Sequence, residues 1–171
     1  RTPRPRCASG RCCTSRYANV YWSRWSAKYA RDATLVRFAS LGSGSRGNAT
    51  LIEAAGTRLL LDCGFAAREL EQRLARLAVA ADSLDAILVT HEHQDHIRGV
   101  GAVARRYGLP VWLSHGTRRS GRLGDVAGTR LLPPDHAAFR VGDIQVSPYP
   151  VPHDAREPVQ FVFQCKTSRL G

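Results

Sequence analysis

The sequence of 171 residues contains no methionine, and none of its apolar runs approaches the roughly 20 residues that cross a bilayer. We therefore expect no membrane partner. The five cysteines are an odd number, and the adjacent pair Cys12 and Cys13 lacks the two-residue gap of a zinc knuckle. This pattern favours neither a disulfide framework nor a zinc finger, and it indicates a reducing, cytoplasmic location. The sequence has no internal repeat.

Length and composition are ordinary for a soluble globular domain. A chain of 171 residues usually forms one domain with a sizeable core, and its 43% hydrophobic and 23% charged residues fit that class. The net charge of +11 is uneven, because residues 1–33 carry eight basic side chains and one acidic side chain. The other 138 residues carry 17 basic and 13 acidic side chains, so the folded part is only mildly basic.

Residues 1–33 form a basic, irregular arm that we expect to lie outside the fold. The arm is rich in arginine and serine and poor in acids, as transit peptides are, but it lacks a clean amphipathic pattern. Its interleaved tyrosines and tryptophans are also compatible with contact to nucleic acid. A third interpretation is upstream or mis-started sequence. We expect the folded domain to span residues 34–171.

Strand and helix patterns alternate in the remaining sequence. Strands are predicted at residues 35–41, 49–53, 57–61, 86–89, 111–113, 139–141, 144–149 and 159–165. Helices are predicted at residues 65–77 and 97–107. Strands followed by helices, mixed with hairpins, indicate an α/β layered domain.

One short segment, residues 91–96, concentrates residues that can bind metals. It reads His-Glu-His-Gln-Asp-His, follows an apolar strand directly and holds half of the six histidines. In an extended stretch the period of two places His91 and His93 on the same side. The turn that follows can bring Asp95 and His96 to a second point nearby. Imidazole and carboxylate are ligands for zinc, manganese or iron, so two adjacent clusters indicate a two-metal site.

This segment resembles the metal-binding signature of the metallo-β-lactamase-fold hydrolases. The resemblance implies an α/β (α+β) fold, the αββα sandwich, of which this chain would form mainly the N-terminal half. It also implies two divalent metal ions, Zn or Mn. Carried over by position, His91 and His93 would bind the first metal, and Asp95 and His96 the second. His153 stands where the family has the third ligand of the first metal.

Asp62 is a candidate supporting residue, because it ends an apolar strand just before Cys63 and Gly64. A carboxylate there can accept hydrogen bonds from the metal loop and orient a ligating histidine. The alternative is a cap for the following helix. His115 and His136 are expected to be ordinary surface histidines. The alternative for His115, which follows a strand end, is that it lines the substrate cleft.

A longer resemblance covers roughly residues 35–171 and points to one branch of the family, the WalJ/YycJ-type bacterial proteins. It is carried by four stretches, residues 41–48, 61–64, 90–100 and 152–158. That branch is linked to DNA exonuclease activity. The resemblance implies hydrolysis of a phosphodiester by a metal-activated water, with Asp95 as both a ligand and a partner of that water. The glycine-rich loop lacks the lysine of a P-loop, so Walker-type nucleotide binding is not expected.

The family also has residues for which this sequence offers no match. A complete domain has two similar halves, an aspartate that bridges both metals and a last histidine, the latter two beyond the position of His153. No histidine follows His153 here, and Asp154 matches the bridging position poorly. We therefore expect an incomplete, weakly active or inactive fragment, the N-terminal portion of a longer enzyme, with only two protein ligands for the second metal.

Three functions stay open at this point. The favoured one is a metal-dependent phosphodiesterase that resembles a DNA exonuclease. The second is a hydrolase of small esters, thioesters or lactams on the same fold, and the third is a non-catalytic nucleic-acid-binding fragment driven by the basic arm. Arginines that can neutralise a phosphate backbone favour the first, with an ordinary basic surface as the alternative. These residues are Arg46, Arg98, Arg105, Arg106, Arg118, Arg119 and Arg122.

Overall fold

Alternating apolar residues build two sheets in the computed structural model, which describes residues 35–171. The predictions made for residues 1–33 lie outside the described residues. The first sheet has six strands in chain order: β1 (Arg37–Gly42), β2 (Ala49–Ala54), β3 (Thr57–Leu61), β4 (Ala86–Leu88), β5 (Val111–Leu113) and β6 (Thr129–Leu131). The first three strands pair antiparallel, and β3 to β6 pair parallel.

The second sheet has four antiparallel strands in the order β10-β9-β8-β7. They are β7 (Phe139–Val141), β8 (Ile144–Pro150), β9 (Val159–Cys165) and β10 (Ser168–Leu170). The hairpin predicted between β2 and β3 is confirmed, and its turn residues Ala55 and Gly56 both have a positive φ, of 49° and 87°.

The helices of residues 35–171 are α1 (Ala67–Ala75), α2 (Gln94–Ile97), α3 (Val100–Tyr107) and α4 (His115–Arg119), with short 3-10 helices at Ala81–Ser83 and Pro134–His136. The prediction of one helix over residues 97–107 is wrong at its start, because the chain turns at Gly99 between α2 and α3. A Cβ atom at Gly99 would overlap the backbone oxygen of Phe65, and the Gly99 N–H donates to the Cys63 oxygen at 2.8 Å. This close packing requires glycine and interrupts the helix.

Two hydrophobic clusters divide the molecule into three layers: helices, the six-stranded sheet and the four-stranded sheet. Neighbouring residues of β3 point to opposite faces. Leu60 packs in the cluster that contains Leu70 and Leu74 of α1, and Leu59 packs in the cluster that contains Phe161 of β9. Each fully buried leucine contributes about 1.5–3 kcal/mol to folding. Within the described residues, none of the helices has the length and apolar character needed to cross a membrane.

The polar residues of interest lie at one edge of the first sheet. Asp62 follows β3 and Thr90 lies just beyond β4, and these two parallel strands end side by side. The loop of residues 151–158 joins β8 to β9 and reaches the same edge, because the Val159 N–H donates to the Thr90 oxygen at 3.0 Å. Carboxyl ends of parallel strands are the usual place for binding sites in α/β proteins.

Candidate metal centre

Three histidines from two parts of the chain meet at this edge. His91 and His93 follow β4, and His153 lies in the loop that follows β8. The three rings offer one nitrogen each, and these nitrogens all lie within 4.8 Å of one another. The ring centroids are 4.6 Å apart for His91 and His93, 4.6 Å for His91 and His153, and 5.0 Å for His93 and His153. Three imidazoles that converge at this spacing can bind one divalent ion.

Hydrogen bonds on the outer side of each ring decide which nitrogen faces the others. Nδ1 of His91 lies 2.9 Å from the Thr90 hydroxyl, and its buried Nε2 has no hydrogen-bond partner among the described residues. Nε2 of His93 faces the backbone oxygen of Asp154 at 3.2 Å, and Nδ1 of His153 faces the Asp154 carboxylate at 3.1 Å. We therefore assign the lone pairs to His91 Nε2, His93 Nδ1 and His153 Nε2. The orphaned, buried Nε2 of His91 fits an ion-binding position.

Asp95 and His96 form a second donor pair beside the three histidines. Both lie on α2, and Oδ2 of Asp95 is 3.6 Å from Nε2 of His96. The ring centroid of His96 is 4.1 Å from that of His91. The side-chain nitrogen of Asn48 lies close to both donors, 2.9 Å from Oδ2 of Asp95 and 3.1 Å from Nε2 of His96. A carboxylate and an imidazole so placed can contribute two ligands to a second ion.

The buried carboxylate of Asp62 connects the two groups of donors. Its Oδ1 accepts the backbone N–H of Thr90 at 2.8 Å, and its Oδ2 accepts the Thr90 hydroxyl and Nδ1 of His96, both at 2.8 Å. The Thr90 hydroxyl in turn accepts Nδ1–H of His91. Asp62 has left-handed backbone with a φ of 58°, at the turn where the chain leaves β3. The network therefore leaves Nε2 of both His91 and His96 as the nitrogen with a lone pair.

Burial and neighbouring charges shift the pKa values of two histidines in opposite directions. Burial, followed by the positive charge of His96, lowers the pKa of His91 from 6.5 to about 4, so this ring is neutral at pH 7. Burial also acts to lower the pKa of His96, but the hydrogen bond and charge of Asp62, with the charge of Asp95, raise it above its ordinary value. Below the raised pKa of His96, a metal ion at Nε2 must displace a proton.

Glu92, between the first two histidines, connects their loop to two other segments. It is only 5% exposed. Its Oε1 accepts the backbone N–H of Arg156 at 2.9 Å, and its Oε2 accepts the Thr117 hydroxyl at 3.4 Å. Burial acts to raise the pKa of Glu92, but these hydrogen bonds, that of Arg156 first, lower it below its usual range and keep the carboxylate ionised. Glu92 thus holds α4 and the loop of His153 against the histidine segment.

The structure brings together all residues for which a ligand role was predicted: His91, His93, Asp95, His96 and His153. Their binding of metal stays a prediction. The alternative role of Asp62 as a helix cap is wrong, because α1 is preceded at its N-cap by Ala66, without a side-chain cap hydrogen bond.

His115 and His136 lie outside this group. They line a separate cavity of about 260 Å³, together with Glu157. Sequence reasoning gave no role to Thr90 or Asn48, which both contact the candidate ligands. The available signals were a hydroxyl directly before the first histidine and an amide at the end of a glycine-rich loop before a strand.

Several of the seven arginines that were proposed to neutralise a phosphate backbone make contacts within the fold. Arg98 donates to the backbone oxygens of Gly64 and Arg46, at 3.1 and 3.0 Å. Arg106 pairs with Glu71 at 3.2 Å, and Arg118 donates to the backbone of Gly124 at 3.1 Å. Arg46 is exposed in the glycine-rich loop beside the site, and Arg156, not among the seven, is exposed in the loop of His153.

The layers and the histidine-rich sheet edge define the class of protein. A family model described as the metallo-beta-lactamase superfamily matches residues 42–167, and the chain belongs to this superfamily. The predicted fold class and the predicted membership of this superfamily are confirmed. Among solved structures, the Rm3 metallo-beta-lactamase aligns with a TM-score of 0.67 at 20% identity, over 80% of this chain and 58% of that one, which supports the fold.

Curated relatives include two exodeoxyribonucleases. WalJ of Streptococcus pneumoniae serotype 2 strain D39 is 35% identical over 132 residues, which are 74% of this chain and 49% of the relative. YycJ of Bacillus anthracis is 34% identical over 143 residues, which are 80% of this chain and 53% of the relative. The chain thus spans about half the length of the curated relatives that it matches. The predicted resemblance to the WalJ/YycJ-type branch is confirmed.

Proposed function

We propose that this chain carries the metal-binding part of a divalent-metal-dependent phosphodiesterase that acts on DNA. The observation that carries the proposal is the convergence of His91, His93 and His153 within 4.8 Å, directly beside the Asp95 and His96 pair. The similarity to two exodeoxyribonucleases supports DNA as the substrate class. We further propose that residues 34–171 form the N-terminal portion of the superfamily's domain and act in a reducing, cytoplasmic compartment, consistent with the odd number of cysteines in the sequence.

The donor set fits two divalent ions of unequal affinity. His91, His93 and His153 would hold the first ion, and Asp95 and His96 the second. The first position has three protein donors and the second two, so the first ion should bind more tightly. Zinc and manganese both accept nitrogen and oxygen ligands of this kind, and the five proposed donors include no thiolate that would favour zinc. Bound to such donors, a divalent ion acts as a Lewis acid and lowers the pKa of a water ligand from about 16 to about 7.

The protein's own residues would orient and activate the reacting groups. Asp95 belongs to the second donor pair, and its carboxylate can also accept a proton from the attacking water. Asp62 would keep the proton of His96 on Nδ1 and so keep Nε2 directed at the second ion position. Thr90 would do the same for His91. This pre-orientation reduces the reorganisation that the reaction requires.

Two exposed arginines flank the site and are suited to hold a phosphate backbone. Arg46 lies two residues before Asn48, and Arg156 lies three residues after His153. Because each phosphate contact releases counterions, the slope of log K against log salt changes by about 0.9 per contact on duplex DNA. Replacing both arginines by alanine should therefore reduce the slope by about 1.8. Arg76, exposed at the end of α1 in the helix layer, provides the control substitution.

The activity test uses the full chain with Mn(II) or Zn(II) in excess. End-labelled linear duplex DNA is compared with a covalently closed circle of the same sequence. We expect metal-dependent loss of the linear DNA only, at a low rate, because the second ion has two protein donors. His153→Ala should abolish the loss, and His115→Ala should leave it unchanged, since His115 lies outside the donor group.

Three outcomes would contradict the proposal. Absence of any bound ion in a calorimetric titration would remove its basis. Hydrolysis of a chromogenic lactam or thioester without any effect on DNA would favour a small-molecule hydrolase. DNA binding that is independent of Arg46 and Arg156 but lost on deletion of residues 1–33 would favour a nucleic-acid-binding role of the basic arm.

A further inference from the structure

The side chain of Asn48 lies where it contacts both proposed donors of the second ion. Its Nδ2 is 2.9 Å from Oδ2 of Asp95 and 3.1 Å from Nε2 of His96, and these two atoms are 3.6 Å apart. The amide orientation follows from its other contacts, because Oδ1 of Asn48 accepts the backbone N–H of Gly44 at 2.9 Å. A flipped amide would bring two oxygens together at Asp95. The NH2 group therefore faces the pair and donates to it.

The backbone around Asn48 fixes this position. The Asn48 N–H donates to the Asp95 backbone oxygen at 2.7 Å, and the Asn48 oxygen accepts the Gly64 N–H at 2.9 Å. The chain cannot move away at this point without breaking both bonds. A Cβ atom at Gly64 would overlap the Asp95 oxygen, which shows how closely the three segments pack. Only rotation of the side chain of Asn48 can withdraw its NH2 group from the pair.

Because the proton of His96 is on Nδ1, the Asn48 amide and a metal ion compete for the same nitrogen, Nε2. Nδ1 of His96 donates to Asp62, so Nε2 has a single lone pair, and the Asn48 amide is its hydrogen-bond donor. A lone pair that accepts an N–H cannot bind a metal at the same time. The Asn48 NH2 group also donates to Oδ2 of Asp95 and occupies one lone pair of that oxygen.

We infer that Asn48 is a positioning residue that competes with the second metal ion for Asp95 and His96, so that the first site fills before the second. Binding of the second ion turns the Asn48 amide away and breaks its bonds to Gly44, which loosens the loop of residues 43–47. The inference rests on the proposed metal centre and adds an order of binding to it. The loop therefore reports on occupancy of the second position.

The test is a calorimetric titration of the metal-free full chain with Zn(II). We expect a tight first ion and a weaker second ion in the unaltered protein. Among the contacts to the donor pair, Asn48→Ala removes one hydrogen bond to a charged acceptor and one to a neutral acceptor, so the second ion should bind on the order of 100-fold more tightly. Affinity for the first ion should not change, because Asn48 does not contact the three histidines in the described structure.

Arg98→Ala is the matched control. Arg98 ties the same loop down through the Arg46 oxygen, at 3.0 Å, without contacting Asp95 or His96. Loosening the loop alone should leave the affinity for the second ion unchanged. Equal tightening in both variants, or unchanged or weaker second-ion binding in Asn48→Ala, would overturn the inference.

A measurement on the unaltered protein covers the case in which a variant does not fold. The side-chain NH2 signals of Asn48 in nitrogen-edited NMR should stay in place during the first equivalent of Zn(II) and move during the second. The inference would also be overturned if these signals moved with the first equivalent, or if they did not move at all while two ions bind. Failure of the proposed function looks different, since no ion would then bind at a site that His153→Ala removes.

Discussion

Replacing Asp62 by asparagine tests whether one buried carboxylate determines the ring state of His96. Asparagine has nearly the same volume and tolerates the left-handed backbone of this position, where φ is 58°. It keeps one oxygen for the Thr90 N–H but places an NH2 group against the Thr90 hydroxyl and Nδ1 of His96. Two donors would then face each other at Nδ1. We expect the His96 proton to move to Nε2, which removes the lone pair directed at the second ion position.

The hydrogen bonds of Asp62 determine how much stability and second-ion affinity the variant should lose. The carboxylate accepts three of them, two from Thr90 and one from His96. In the variant the bond from the Thr90 N–H is kept, and the bond with the Thr90 hydroxyl is reversed by rotation of that hydroxyl. The bond with His96 forms only if the His96 proton moves to Nε2. Hydrogen bonds to charged groups contribute about 1.5–3 kcal/mol and neutral ones about 1 kcal/mol, so the free energy of unfolding should fall by roughly 2 kcal/mol. The second ion should bind about 10–100-fold more weakly.

Urea unfolding measures the stability, the nitrogen chemical shifts of the imidazole rings report the proton position, and a Zn(II) titration gives both affinities. The first ion should be less affected, because Asp62 reaches His91 only through Thr90. Asp85→Asn is the control, since Asp85 accepts the Arg58 N–H at 2.8 Å, before β4 begins and away from the site. The reasoning is refuted if Asp62→Asn leaves the proton on Nδ1 of His96 and both ions bind as before.

Three further predictions concern other parts of the molecule. In calorimetry, His153→Ala should reduce the affinity for the first ion by more than about 100-fold, which exceeds the loss usual for residues that only orient a ligand. His115→Ala should not change this affinity. In urea unfolding, Phe161→Ala between the sheets should cost about 3–5 kcal/mol, but exposed Phe38→Ala only about 0.5 kcal/mol. Burial raises the pKa of the Cys63 thiol from 9.0 to about 11, so its contribution to stability is present below pH 9 and lost as pH rises through 11. Cys63→Ala should reduce this alkaline loss.

Short apolar runs predicted much of the first sheet, because its central strands β3 and β4 are buried on both faces. Ile87 and Leu88 are adjacent and fully buried in different clusters, so β4 appears as a continuous apolar run. The sequence did not predict β6, whose residues are half-buried or exposed and depend on pairing with β5, far away along the chain. It also missed α4, a single turn that begins at the Ser114 cap and has no apolar stripe.

In the candidate site, too, residues that are close together in the sequence were predicted, whereas contacts between residues far apart in the sequence were not. Spacing along one segment indicated the positions of His91, His93, Asp95 and His96, because a strand end and the turn after it are local features. The contribution of Asn48 depends on a contact between residues 47 positions apart, and no local pattern contains it.

The position of His153 depends on the loop around it rather than on burial of its ring, because its side chain is 43% exposed. The loop is attached through its neighbours. The Arg156 N–H donates to Glu92, the backbone oxygen of Glu157 accepts the Ser114 hydroxyl, and the Glu157 carboxylate accepts the Gly116 N–H. Glu92 belongs to the same segment as the other two histidines, so the third donor is held in register by the segment that supplies the first two. The glutamate between the histidines therefore has a structural reason to be there, although it is not itself among the proposed ligands.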